Sequence, residues 1–244
     1  MRIFILLLAV NFTAAFAQKP DGKEILLKID KNMSAETRVF TSKMIIHGKR
    51  SIRTVESKSW VAGEKQSYTE YLFPARDQGT KMLKLDDQLW IYSPSSDRII
   101  LIAGHMLRQS VMGSDMSYED LMEDKKLIDH YNAEVTGNEI VNDRQCWVVL
   151  LTAFDPAVAY QGKKLWVDAE RNIPLREELF AKSGTLLKRT ELSDVENING
   201  RWFPKRIVFK DMLKEGDGTE FIMEGIEFNV KIDDYVFSKA NLKK

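Results

Sequence analysis

The 244-residue sequence predicts a mainly β domain whose antiparallel sheet curls into a barrel or half-barrel, with few helices. Two long series of strand-like segments are separated by compact turn signals, and one amphipathic helix precedes them. No Pro/Gly/Ser-rich linker and no internal repeat divides the chain. Short connections between successive strands require antiparallel pairing. A meander of this length would leave long open edges unless it curled.

The first residues read as an address. Arg2, the apolar run at residues 3–10 and the small-x-small triplet Ala15-Phe16-Ala17 form an export signal over residues 1–17, so the mature chain starts at Gln18. The apolar run is shorter than the ~20 residues of a membrane span. No cysteine follows the cleavage point to accept a lipid. The mature protein, residues 18–244, is expected to be exported and to fold as one domain. Lysine plus arginine equals aspartate plus glutamate at 36 each, and loss of Arg2 leaves a net charge near −1. That balance gives no electrostatic ground for nucleic acid or for strong attraction to anionic lipid. Cys146 is the only cysteine, so the core must hold the fold without an internal disulfide. Within Cys146-Trp147-Val148-Val149-Leu150-Leu151 it reads as a buried, inert thiol.

Residues 21–33 read as a helix. Asp21 caps it, Glu24 follows at capping-box spacing, and Ile25, Leu26, Ile29 and Met33 share one face. Strands are expected at residues 38–47, 51–61, 66–73, 80–85, 88–92 and 98–102. Gly48-Lys49, Gly63-Glu64, Asp86-Asp87 and Pro94-Ser95-Ser96-Asp97 mark the turns. A second series covers 133–141, 145–153, 164–168, 175–181, 186–195, 201–210 and 219–229. Its turns are Asn142-Asp143, Glu170-Arg171-Asn172, Ser183-Gly184 and Asn199-Gly200. Several strands are apolar on both faces, Trp147, Val149 and Leu151 alternating with Cys146, Val148 and Leu150, and so need cover on both sides.

Residues 104–124 interrupt the β pattern. Ser117 before Tyr118-Glu119-Asp120 is a start signal for a short helix with acids in its first turn. Met106, Met112, Met116 and Met122 place four of the chain's ten methionines here. Methionine adapts its shape to varied apolar partners. The residues alone leave two readings open: a lid over an apolar cavity, or a short helical pair that packs the core. The candidate lid residues are Met106, Met112, Met116, Leu121 and Met122. The candidate cavity residues on strands are Met44, Trp60, Tyr71, Phe73, Leu83, Trp90, Trp147 and Trp166. Tyr68, Tyr92, Phe180, Phe209 and Phe221 belong to the same aromatic set, for which a plain core role is the alternative.

The chemistry of catalysis is not legible. His47, His105 and His130 have no zinc-site spacing, and neither a phosphate loop nor a nucleophile elbow occurs. Asp115, Glu119, Asp120, Glu123 and Asp124 cluster on one short helix, where capping and solvation account for them. No enzyme activity, cofactor or metal is expected. A hydrolase would need an acid–base pair that the sequence does not offer.

The segments GTKMLKLDDQLWIYSPSSDRI (79–99) and VMGSDMSYEDL (111–121), with the export signal and the N-terminal helix, resemble the outer-membrane lipoprotein-sorting protein domain of the LolA/LolB-like superfamily. The resemblance spans nearly all of the mature chain. It implies a strongly curved antiparallel sheet forming a half-open barrel with a helical lid. It also implies a periplasmic carrier, in a Gram-negative bacterium, for acyl chains of lipoproteins or lipids bound for the outer membrane. An inner-membrane transporter as donor and an outer-membrane acceptor are the implied partners. The family's functional arginine has no unique counterpart; Arg38, Arg50 and Arg53 all qualify. The alternative function is an envelope sensor or scaffold that uses the same fold to bind a partner protein.

Overall fold

The computed structural model describes residues 19–48, 51–123 and 125–244. The export signal at 1–17, Lys49 of the first turn, Arg50 and Asp124 lie outside the described residues. Helix α1 (Gly22–Met33) starts where Asp21 accepts the Lys23 backbone N–H at 3.1 Å. Its apolar face carries Ile25, Leu26 and Ile29, all buried against Tyr131, Val135, Val149 and Leu165. Burying each of those three side chains is worth about 1.5–3 kcal/mol. The C-terminal carbonyls of α1 are not left bare. Arg201 donates to the carbonyls of Lys31, Asn32 and Ser34, as basic groups at helix ends do.

Thirteen strands follow: β1 (Thr37–His47), β2 (Ile52–Ala62), β3 (Gln66–Phe73), β4 (Lys81–Leu85), β5 (Gln88–Ser93), β6 (Arg98–Ile102), β7 (Tyr131–Val141), β8 (Arg144–Ala153), β9 (Gly162–Asp168), β10 (Pro174–Phe180), β11 (Leu186–Ile198), β12 (Arg201–Asp211) and β13 (Gly218–Phe228). Turn chemistry agrees with the sequence. Asn142 and Asp143 both adopt positive φ (48° and 59°), as a two-residue hairpin turn that follows strand twist demands.

All thirteen form one antiparallel sheet in the order β6-β5-β4-β3-β2-β1-β13-β12-β11-β10-β9-β8-β7. Every neighbouring pair is a hairpin except β1 with β13, where the first strand meets the last and Met44 faces Phe221. The two edges are therefore β6 and β7, which are consecutive in the chain. Residues 103–130 join them across the open seam. Seven adjacent strands, β5 through β12 in sheet order, place side chains around a single cavity, so the sheet curls without closing. The half-open, mainly β architecture expected from the sequence is the one observed.

Both faces of the two-sided strands are largely covered, although Leu150 of β8 is 40% exposed. On β3–β5 the cover is the C-terminal tail, whose Phe237 and Leu242 bury Tyr68, Leu83 and Trp90. On β8–β9 one face meets α1. The other holds Cys146, Val148 and Trp166 against Ile173 and Leu175. The Cys146 thiol is fully buried, which pushes its pKa up to about 11. No helix among the described residues is long and apolar enough to cross a membrane.

Candidate functional site

The seam-spanning segment folds into a 3₁₀ turn at Gly104–Arg108, another at Val111–Gly113, helix α2 (Tyr118–Met122) and a last 3₁₀ turn at Leu127–Asp129. Its tip is a tight loop. The Val111 N–H donates to the Met116 carbonyl at 2.8 Å and the Tyr118 N–H to the Gln109 carbonyl at 3.1 Å. Met112 and Gly113 both take positive φ, 51° and 73°, to make the reversal. At α2 the capping box is complete: Ser117 Oγ accepts the Asp120 N–H while Asp120 accepts from the Ser117 N–H at 2.6 Å.

Asp120 thus caps α2 as expected from the sequence, but neither it nor Asp115 is a solvated acid: both side chains are about nine-tenths buried and serve as inward-facing anchors. Asp115 Oδ2 accepts from Thr219 Oγ1 (2.9 Å) and Oδ1 from the Asp211 N–H (3.0 Å), while the Asp115 N–H donates back to Thr219 Oγ1. Asp120 receives Lys188 Nζ and the Tyr160 hydroxyl. Lys188, itself buried, also donates to the Asp115 carbonyl at 2.9 Å. Burial and the Asp120 carboxylate push the Tyr160 hydroxyl far above the ordinary tyrosine range, so it keeps its proton and donates it to Asp120. Glu119 on the same helix is also shifted upward, by burial. Further ties run from Lys214 to Ser110 and the Ser114 carbonyl, from Lys84 to the Met122 carbonyl, and from the Ala159 N–H to Glu123. Thus β4, β11, β13, the β8–β9 loop and the end of β12 all hold the segment, by side chains more than by a backbone ladder.

Beneath it lies a cavity of about 370 Å³, within the range of small-ligand sites. Of the candidates read from the sequence, Met44, Tyr71, Met116 and Leu121 line it, and Met112 packs against the same cluster. Phe209 and Phe221, from the aromatic set, complete the wall opposite. The remaining candidates lie elsewhere. Trp60, Leu83 and Trp90 pack under the C-terminal tail, and Trp147 joins the α1 cluster. Trp166 lies between Lys164 and Arg176, with its Nε1–H on Glu139. Phe73 is half exposed at the end of β3, while Met106 and Met122 are half-buried outside the lining. Val55, Met82, Val111 and Met223 line the cavity and were not singled out; Val55 sits opposite Met44 and Met82 opposite Thr69, a cross-strand register that alternation along one strand does not reveal.

The three histidines do not converge. His47 pairs with Glu220 at 2.9 Å, His130 with Asp155 at 2.7 Å, and His105 is exposed. No cluster of potential metal ligands occurs among the described residues. Of the arginines, Arg38 lines the cavity and donates to the Met33 carbonyl at 3.2 Å, and Arg53 approaches Gly113 of the segment.

A family model described as "-like: Uncharacterized protein" matches residues 63–244, well over half of the chain. The chain belongs to that family. Among solved structures, a DUF1329 family protein from Desulfovibrio piger aligns at 23% identity and TM-score 0.82, covering 91% of this chain and 97% of the other. An outer membrane lipoprotein-sorting protein domain from Vibrio parahaemolyticus aligns at 21% identity and TM-score 0.80, with coverages of 91% and 98%. A LolA superfamily protein from Nitrosomonas europaea gives 24%, 0.74, 91% and 100%. The fold is therefore LolA-like, as the resemblance at residues 79–99 and 111–121 implied. No curated protein matches the chain.

Proposed function

We propose that the chain is an exported, non-enzymatic carrier that binds acyl chains of lipoproteins or lipids in this cavity and moves them toward the outer membrane. In this reading residues 1–17 are removed on export and residues 18–244 work as a single periplasmic unit. The observation that carries it is the cavity itself: apolar over most of its wall, about 370 Å³, and roofed by a segment rich in methionine and leucine. An interior filled by the protein's own side chains would instead have favoured an envelope scaffold. Each methylene moved from water into such a site gains ~0.8 kcal/mol, so even part of an acyl chain is held firmly. Handover follows if the roof swings aside at an acceptor that binds the open state better. An inner-membrane donor and an outer-membrane acceptor fit this cycle.

The test is direct. Mass spectrometry of an organic extract of the purified protein is expected to find co-purifying lipid. Leu121→Glu puts a charge into the roof and is expected to weaken a fluorescent fatty-acid probe at least tenfold. A lipid-free protein whose probe affinity is unaffected by Leu121→Glu would remove the carrier reading.

A further inference from the structure

The sheet leaves one edge bare. β6 reads Arg98-Ile99-Ile100-Leu101-Ile102, with no proline, no bulge and a single charge at its first residue. Its only ladder is the one to β5, and no other hydrogen bond among the described residues reaches its backbone. Ile100 on one face and Leu101 on the other stay 43% and 45% exposed. A row of unpaired N–H and C=O groups flanked by apolar side chains is a template for another strand. The opposite edge differs. Lys19 Nζ donates to the Thr136 carbonyl of β7, and Gly22 lies so close to the Ala133 carbonyl that a methyl group would overlap it.

That contrast decides what fits β6. The β7 of a second molecule does not, because its N-terminal segment lies against that strand, so head-to-tail growth is blocked. Addition of β6 to β6 is open and closes after one step. A two-fold axis perpendicular to the sheet runs the two strands antiparallel and keeps each residue opposite one of its own face. Centred on Ile100, the ladder uses the whole strand. Ile100 faces Ile100 of the second copy, Ile99 faces Leu101, and Arg98 faces Ile102, so no like charges stand opposite each other.

The two ends are also complementary. At the first end Asp97 is held by the Tyr92 hydroxyl and Lys243, while Arg98 is exposed and has no ion pair among the described residues. The other end lies beside the β4–β5 turn, since Ile102 pairs with Leu89. There Asp86 meets Lys65, while Asp87 is exposed with no ion pair among the described residues. Antiparallel pairing brings the Arg98 end of each copy toward the acidic turn of the other.

We propose that the chain forms a two-fold dimer through β6, which joins two sheets into one with both concave faces on the same side. Strand alternation supplies roughly four to six main-chain hydrogen bonds across the axis. A five-residue ladder buries less than the ~1,200 Å² of a stable interface, so the dimer forms reversibly at high protein concentration. It depends on no property of the cavity or its cargo.

Sedimentation equilibrium from low to high micromolar protein is expected to show monomer and dimer with no larger species. Ile100→Lys and Ile100→Glu each set like charges across the axis at an exposed position. Each alone should weaken dimerisation at least tenfold, with the circular dichroism of the wild type. An equimolar mixture opposes a lysine to a glutamate and should restore the dimer, which variants that had merely lost their fold would not do. Wild type that stays monomeric throughout overturns the inference. So does a dimer that neither variant weakens, or one that the mixture fails to restore, because the contact then lies on another face. Growth beyond dimers overturns it as well, since β7 would then be open to pairing.

Discussion

Asp120→Ala should free the roof without unfolding the sheet. Asp120 is the partner of Lys188, and the two side chains are only 10% and 9% exposed. Removing one member of a buried pair leaves the other charge uncompensated, at a cost of ~3–5 kcal/mol. Lys188 keeps the Asp115 carbonyl at 2.9 Å, which places the change at the lower end, about 3 kcal/mol. At 1.4 kcal/mol per factor of ten, the segment should open on the order of 100-fold more often. Native-state hydrogen exchange reads this locally, through N–H groups that bond across the roof contacts: Asp115 to Thr219, Asp211 to Asp115 and Ala159 to Glu123. Their protection is expected to fall by about that factor while the β8 amides keep theirs, and a bound acyl probe should dissociate correspondingly faster. Tyr160→Phe leaves Asp120 with Lys188 and Ser117 and should give a loss of only about 1 kcal/mol. If every amide in the protein lost protection equally, the segment would be part of the global cooperative unit, and a roof that opens alone would be refuted.

Three further outcomes test the frame around the site. Gly22→Ala would drive a methyl group into the Ala133 carbonyl of β7, so the urea midpoint should fall by the equivalent of ~1–3 kcal/mol with the m-value unchanged. Burial alone would raise the Asp168 carboxyl, but Arg144 and the N–H groups of Arg171 and Glu170 outweigh it and hold it below the usual range. The stability it contributes is therefore present above about pH 4 and lost as pH falls further; Asp168→Asn should be less stable at neutral pH and flatter in acid, and parallel pH curves would contradict this. Phe237→Ala removes the tail's cover from Leu83 and Trp90 and should cost ~3–5 kcal/mol in chemical denaturation, with a red shift in tryptophan emission.

Local chemistry was legible and long-range pairing was not. The limits of the strands lie within a few residues of those expected, since alternation and turn residues such as Asn142-Asp143 and Asn199-Gly200 act over short spans. Nothing in Thr37–His47 marks it as the partner of Gly218–Phe228, yet that pairing is what makes β6 and β7 the edges. At the site, Ser117 and the methionines revealed a short roof helix. What holds it down did not show, because Thr219, Lys188 and Tyr160 lie tens of residues away from Asp115 and Asp120. Aromatic identity was also a poor guide to the cavity. Trp60 and Tyr68 meet with tilted rings, centroids 5.6 Å apart, under the tail while Tyr71, past the same turn, faces the cavity; a ring suits either of two cores.

The open seam and the roof follow from one topological fact. With β1 paired to β13, the sheet lacks only a β6–β7 ladder to close, and closure would seal the cavity behind hydrogen bonds that must break together. The chain instead spans that gap with short 3₁₀ and α turns, whose backbone bonds are largely internal to the segment. Its attachments to the sheet are mostly side-chain contacts, centred on Asp115 and Asp120, and such contacts can release while every strand ladder stays intact. The short, five-residue β6 limits the exposed edge that an open seam requires. An opening confined to the roof therefore separates cargo access from fold stability, which a closed barrel of the same strands could not do.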